Sequence, residues 1–160
     1  MKMASIIRGA KFAAVIVATL VIAGCAKQSD QANMAGTAVP GSQQDFVVNV
    51  GDRVFFDTDS SELSDQARAT LDKQSQWLNL YNRYAFTVEG HADERGTREY
   101  NIALGARRAE TVRQYLASRG VSAQRMRTIS YGKERPVALC NDISCWSQNR
   151  RAVTVLDQSS

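Results

Sequence analysis

Residues 87–112, TVEGHADERGTREYNIALGARRAETV, constrain this chain more than any other stretch. An alternating strand runs into a charged, glycine-punctuated loop and then into an amphipathic helix. With Leu104 as origin and about 100° per residue, Tyr115 falls at about 20°, Val112 at about 80° and Leu116 at about 120°. Arg108 falls at about 40°, inside that apolar stripe, whereas Arg107 falls at about 300°, on the polar flank. A guanidinium on a core-facing stripe costs free energy unless an anion meets it. The bland alternative is an edge arginine that lays its methylenes on the core and reaches water. Asp93 lies just past the strand end, in a loop that presents it; its own bland alternative is a turn carboxylate. A carboxylate and a guanidinium on one rigid strand–loop–helix unit suit a zwitterionic ligand.

The flanking sequence predicts the layers around this unit. Phe46-Val47-Val48 and Arg53-Val54-Phe55-Phe56 are β-rich and flank a turn at Gly51-Asp52. Ser64 offers a helix N-cap, with Asp65 in the first turn. Ala67, Leu71, Trp77 and Leu78 then mark a helical face to about Leu80. A strand over 84–89 stops at Gly90, and a second helix over 98–118 is capped by Gly120. Two further strands follow at 127–130 and 152–155. The expected fold is α+β: a β-α-β-α-β(-β) sandwich with the helices packed on one face of a small mixed sheet.

The N-terminus reads as an export signal over residues 1–24. Lys2, Arg8 and Lys11 form a basic region ahead of an apolar run at 12–21. That run is shorter than the roughly 20 apolar residues that span a bilayer. It closes with Ile22-Ala23-Gly24-Cys25, which resembles a bacterial lipobox, so Cys25 is the expected lipidation site. Twenty basic side chains less these three leave 17 against 16 acidic ones, so the sequence pI of about 9.1 is no nucleic-acid footprint. Residues 25–45 have no apolar periodicity and read as a flexible tether. About 113 residues, 46–158, remain for one ordinary core. With Cys25 assigned to lipid, Cys140 and Cys145 form an even remainder, which in an oxidising compartment predicts a disulfide. Metal ligation at this pair lacks partners, because the one histidine, His91, is distant in sequence.

The segment GHADERGTREYN followed by LGARRAETV resembles the peptidoglycan-associated lipoproteins, within the wider set of domains like the C-terminal domain of outer-membrane protein A. The resemblance runs from about Val54 to Val155, through Ser130-Tyr131-Gly132-Lys133 and Ser147-Gln148-Asn149-Arg150-Arg151. It implies a lipoprotein of the outer membrane whose domain, in the periplasm, binds peptidoglycan at the diaminopimelate of the stem peptide. It implies that Arg108 forks the ligand carboxylate and that Asp93 holds its ammonium, with Asp59, Thr58 and Leu104 closing the pocket. Asn101, Asn149 and Arg150 are expected to support it from behind. Thr58 stands where some relatives have an aromatic, and most close relatives lack the cysteine pair. Ala26, after the lipid cysteine, is not the aspartate that keeps many lipoproteins on the inner membrane. The implied partners are TolB and the other Tol proteins, in envelope integrity and cell division. No cofactor or metal and no nucleic acid is expected.

Two rival readings stand beside this one. A metal-dependent hydrolase would use Asp57, Asp59, His91 and Asp93, hard carboxylates with one imidazole, yet no HExxH, GxSxG or Cys–His pairing is present. His91 alone reads as structural, since relatives replace it with asparagine or tyrosine. A purely structural lipoprotein would tether protein partners only. The lipobox yields the first prediction. The intact mass of the mature chain should show lipid on Cys25, and Cys25→Ser should abolish it; an unmodified N-terminus elsewhere contradicts the assignment.

Overall fold

The computed structural model describes residues 38–157. The expected signal, Cys25 and most of the tether lie outside them. The described chain begins with a short helix α1 (Gln43–Asp45) continued by a π-helical turn (Phe46–Val50). Then follow β1 (Arg53–Phe55), α2 (Asp65–Leu80), β2 (Phe86–His91), α3 (Arg98–Ser118), β3 (Met126–Gly132), α4 (Ile143–Asn149) and β4 (Arg151–Leu156). The four strands form one mixed sheet in the order β1-β4-β2-β3. β4 pairs antiparallel with β1 and with β2, and β2 pairs parallel with β3. The α+β architecture expected from the sequence is the one observed.

Local chemistry accounts for the two long helices. Ser64 Oγ accepts from the Ala67 amide at 3.2 Å and starts α2. Thr97 Oγ1 does the same for the Tyr100 amide, also at 3.2 Å, and starts α3. At the end of α3, Gly120 takes φ +87°, and the Val121 amide returns to the Leu116 carbonyl at 3.1 Å. Leu71 and Leu78 of α2, Val112 and Leu116 of α3, and Phe86 and Val88 of β2 meet in the core. α3 crosses β2 where Gly105 faces Gly90; a Cβ on either residue would overlap the other's backbone. This close approach lowers α3 onto the strand and brings Arg108, one turn on, to the end of β2.

Two segments differ from the sequence reading. Phe46-Val47-Val48 is helical, not extended. Ser42 caps it through the Asp45 amide at 3.1 Å, and Phe46 packs on Trp77 with ring centroids 4.9 Å apart. Gly51, at φ +91°, ends the turn. Val47 and Val48 stay exposed, so their β preference is overridden by the anchoring of Phe46. The domain also begins earlier than residue 46: the Gly41 carbonyl accepts from Arg83 Nη2 at 2.6 Å and from Tyr84 Oη at 2.8 Å. The second difference is α4, an element for which the sequence reading had no counterpart. Seven residues are too few for periodicity to register, but Asp142 caps the helix through the Ser144 amide at 2.8 Å. Cys140 and Cys145 are disulfide-bonded across this start, with Cα atoms 5.5 Å apart. The glycine crossing gives a stability prediction: Gly105→Ala should cost about 1–3 kcal/mol through overpacking, read as a lower denaturation midpoint with unchanged slope.

Candidate functional site

The loops after β1 and β2 and the first turns of α3 enclose a cavity of about 280 Å³. It is lined by Thr58, Asp59, Asp93, Asn101, Leu104, Arg108 and Arg150, which the sequence named, and by Arg95, Gly96 and Tyr100.

Arg108 is 0% exposed, whereas its neighbour Arg107 is exposed, as the helical positions of the two require. No water-facing edge position is involved. Its guanidinium donates from Nε to the Ser60 carbonyl at 2.8 Å, from Nη1 to the His91 carbonyl at 2.8 Å and from Nη2 to the Asp57 carbonyl at 3.0 Å. It also lies over the Phe56 ring, 5.1 Å from the centroid. Three of its five N–H groups are thereby used, leaving one each on Nη1 and Nη2. Among the described residues it has no carboxylate within ion-pair distance. Burial first, and the charge of Arg150 second, bring its pKa down to about 10. At neutral pH it is still a cation, held by neutral dipoles and short of an anion.

Asp93 is buried and already engaged. Arg95 donates to both of its oxygens, Nη2 to Oδ2 at 2.6 Å and Nε to Oδ1 at 3.1 Å. Arg150 Nη1 stands 3.4 Å from Oδ2. Burial pushes the Asp93 carboxyl up, but the hydrogen bonds and charge of Arg95 outweigh it and hold the group below its ordinary range. Asp59 takes a left-handed backbone, φ +57°, which a short polar side chain tolerates. Its carboxylate accepts from the Tyr100 hydroxyl. Leu104 supplies apolar wall. Asn101 is buried and braces the loop by donating to the Arg95 carbonyl at 2.7 Å.

Arg150 stands at the cavity itself rather than behind it, donating from Nε to the Phe56 carbonyl at 2.9 Å. Asn149 is turned away from it. Its amide ties down the 137–138 backbone, accepting from the Val137 amide at 2.8 Å and donating to the Ala138 carbonyl at 2.8 Å. Arg95, Tyr100 and Trp146 were absent from the sequence-derived site. Their spacing in the chain carries no sign of the convergence, since Trp146 reaches the site through α4.

The four groups of the hydrolase alternative do not converge. His91 stacks on Tyr131, centroids 5.6 Å apart, and its Nε2 lies 3.5 Å from Glu89. Asp59 is tied to Tyr100 and Asp93 to two arginines. Among the described residues the one group of potential metal ligands is Cys140, Asp142 and Cys145, in which the sulfurs are bonded to each other and the carboxylate caps a helix.

The fold and cavity define a small domain with a carboxylate and a guanidinium lining one pocket. The OmpA family model matches residues 55–150. A peptidoglycan-associated lipoprotein of Rhizobium meliloti is 66% identical over 148 residues, covering 88% of this chain and 84% of the relative. One from Pseudomonas aeruginosa is 40% identical over 157 residues, covering 88% and 93%. The crystal structure of the peptidoglycan-associated lipoprotein from Burkholderia pseudomallei superposes with a TM-score of 0.65 at 45% identity, covering 66% of this chain and 90% of that one. The C-terminal domain of Helicobacter pylori MotB shares the fold at 20% identity, with a TM-score of 0.63, covering 68% and 86%. The chain belongs to the OmpA family, among its peptidoglycan-associated lipoproteins.

His91 gives this region a pH dependence. Burial first, then the charges of Arg151, Arg135 and Arg53, bring its pKa from 6.5 down to about 4. The unfolded chain therefore binds a proton that the folded one refuses. Stability should be unaffected above about pH 6.5 and fall as pH drops towards about 4. His91→Asn should lose less of its thermal midpoint than wild type between pH 7 and pH 4; an equal loss contradicts the assignment.

Proposed function

We propose that this chain is a non-catalytic lipoprotein of the outer membrane, anchored through lipidated Cys25, whose domain in the periplasm grips peptidoglycan at diaminopimelate. The tether ahead of residue 41 links the anchor to the domain. The observation that carries the ligand assignment is Arg108: a fully buried guanidinium with three carbonyl partners, two N–H groups to spare and, among the described residues, no carboxylate of its own. A ligand carboxylate supplies the missing anion through two parallel charge-assisted bonds. The free end of diaminopimelate carries an ammonium on the same carbon as that carboxylate, so it needs an anion beside the fork. Asp93 lines the same cavity and is held ionised. Thr58, Asp59 and Leu104 close the pocket, and Arg150 orients Asp93. Membership of the family supports TolB and the Tol proteins as partners, in a link between outer membrane and cell wall that serves envelope integrity and division.

The test is calorimetric titration of a diaminopimelate-containing stem tripeptide. Losing a charge-assisted hydrogen bond costs about 1.5–3 kcal/mol, so Asp93→Ala should weaken binding roughly 10- to 150-fold. Arg108→Ala should do at least as much and should also lower stability, because it takes a donor from each of three carbonyls. Arg108→Lys keeps the charge but not the fork, so it should restore the fold more than the affinity. Arg107→Ala should change little. Amidating the free carboxylate of the ligand should hurt wild type and add little to Arg108→Ala. Additive losses would show that the carboxylate meets another group.

A further inference from the structure

We infer that Arg95 is a built-in competitor for the ligand ammonium, parked at Asp93 by Trp146, and that this pair sets how strongly the cavity selects for a cation. The inference rests on the assignment of Asp93 to the ammonium. Asp93 does not stand open to the cavity. Arg95 covers both of its oxygens, at 2.6 and 3.1 Å, and the Arg95 amide adds a third bond to Oδ1 at 3.2 Å. An incoming ammonium has to displace that guanidinium. The two partners differ in freedom: the side chain of Arg95 is 40% exposed and that of Asp93 9%. The cation is thus the member able to leave, and the carboxylate is the fixed one.

Arg95 is held in place by more than its ion pair. Its guanidinium lies over the Trp146 ring, 4.3 Å from the centroid, and Nη2 reaches Thr58 Oγ1 at 3.3 Å. The indole is fixed in turn, donating from Nε1 to Glu94 Oε1 at 3.0 Å. Trp146 directly follows Cys145, whose disulfide to Cys140 brackets the Asp142 cap of α4. Disulfide, cap, indole and guanidinium form one continuous set of contacts that ends at the cavity carboxylate. Trp146 is the positioning residue and Arg95 the group it positions.

A buried carboxylate without a partner is costly. Arg95 satisfies it until a ligand cation takes over, so the apparent affinity of any cation is reduced by the competition. A ligand that also brings a carboxylate to Arg108 recovers that loss; a simple amine does not. The competitor lowers the affinity of every cation by the same factor, so amines and metal cations, which have no second anchor at Arg108, are the ones left too weak to hold the carboxylate.

The experiment titrates the full chain, purified in detergent, with two probes. One is a stem tripeptide ending in meso-diaminopimelate. The other ends in 2-aminopimelate, which keeps the terminal carboxylate and lacks the ammonium. Arg95→Ala is expected to tighten the first probe about three- to tenfold, the range of a partly exposed ion pair, and to leave the second within about twofold. Trp146→Ala should give a smaller gain for the first probe that vanishes in the Arg95→Ala background. Weaker binding of both probes by Arg95→Ala, or the same gain for both, overturns the inference and leaves the role of Asp93 standing. Equal binding of the two probes by both wild type and Arg95→Ala overturns the role of Asp93, and the inference with it.

Discussion

The buried guanidinium of Arg108 is the interaction on which both fold and site depend. Its three donors reach the Asp57 and Ser60 carbonyls, in the loop after β1, and the His91 carbonyl at the end of β2. Without Arg108 each of those carbonyls would lose a donor beside a helix, and the loop after β1 would lose two of its ties to the rest of the domain. The geometry requires α3 to sit low on β2, which the facing Gly90 and Gly105 permit. A cation satisfied by neutral dipoles alone keeps its net charge. The element that closes the fold is therefore also the one that asks for an anion.

The charges around the cavity pair with one another. Asp93 takes Arg95 and Arg150, and Asp59 takes Tyr100. Each pairing lowers the cost of burying these charges and subtracts from the gain on binding. Rigid and replaceable parts are separated by burial. Arg108, Arg150 and Asp93 are packed, while Arg95 and Tyr100 lie at the exposed rim. The disulfide and the short α4 belong to the same rim, because Trp146 carries their position to Arg95.

Much of the fold was legible where local signals agreed. Ser64 and Gly120 act at the start of α2 and the end of α3 through bonds that span three to five residues, so sequence spacing sufficed. The period of α3 separated Arg108 from Arg107 because a helix fixes side-chain direction by count alone. Phe46-Val47-Val48 misled for the opposite reason: its apolar β-branched composition suits a strand, and only the docking of Phe46 on Trp77 makes it helical.

The sequence by itself determined the layered α+β plan and the place of Arg108 on the apolar stripe of α3, because these follow from periodicity along the chain. The tertiary structure decided which charge meets which. Arg95 turns to Asp93 rather than Glu94, Glu94 takes the Trp146 indole, Arg150 enters the cavity wall, and Asn149 faces the 137–138 loop. Long charged side chains have several partners within reach, and the choice among them depends on burial and on groups more than fifty residues away. No local pattern in the chain records that competition.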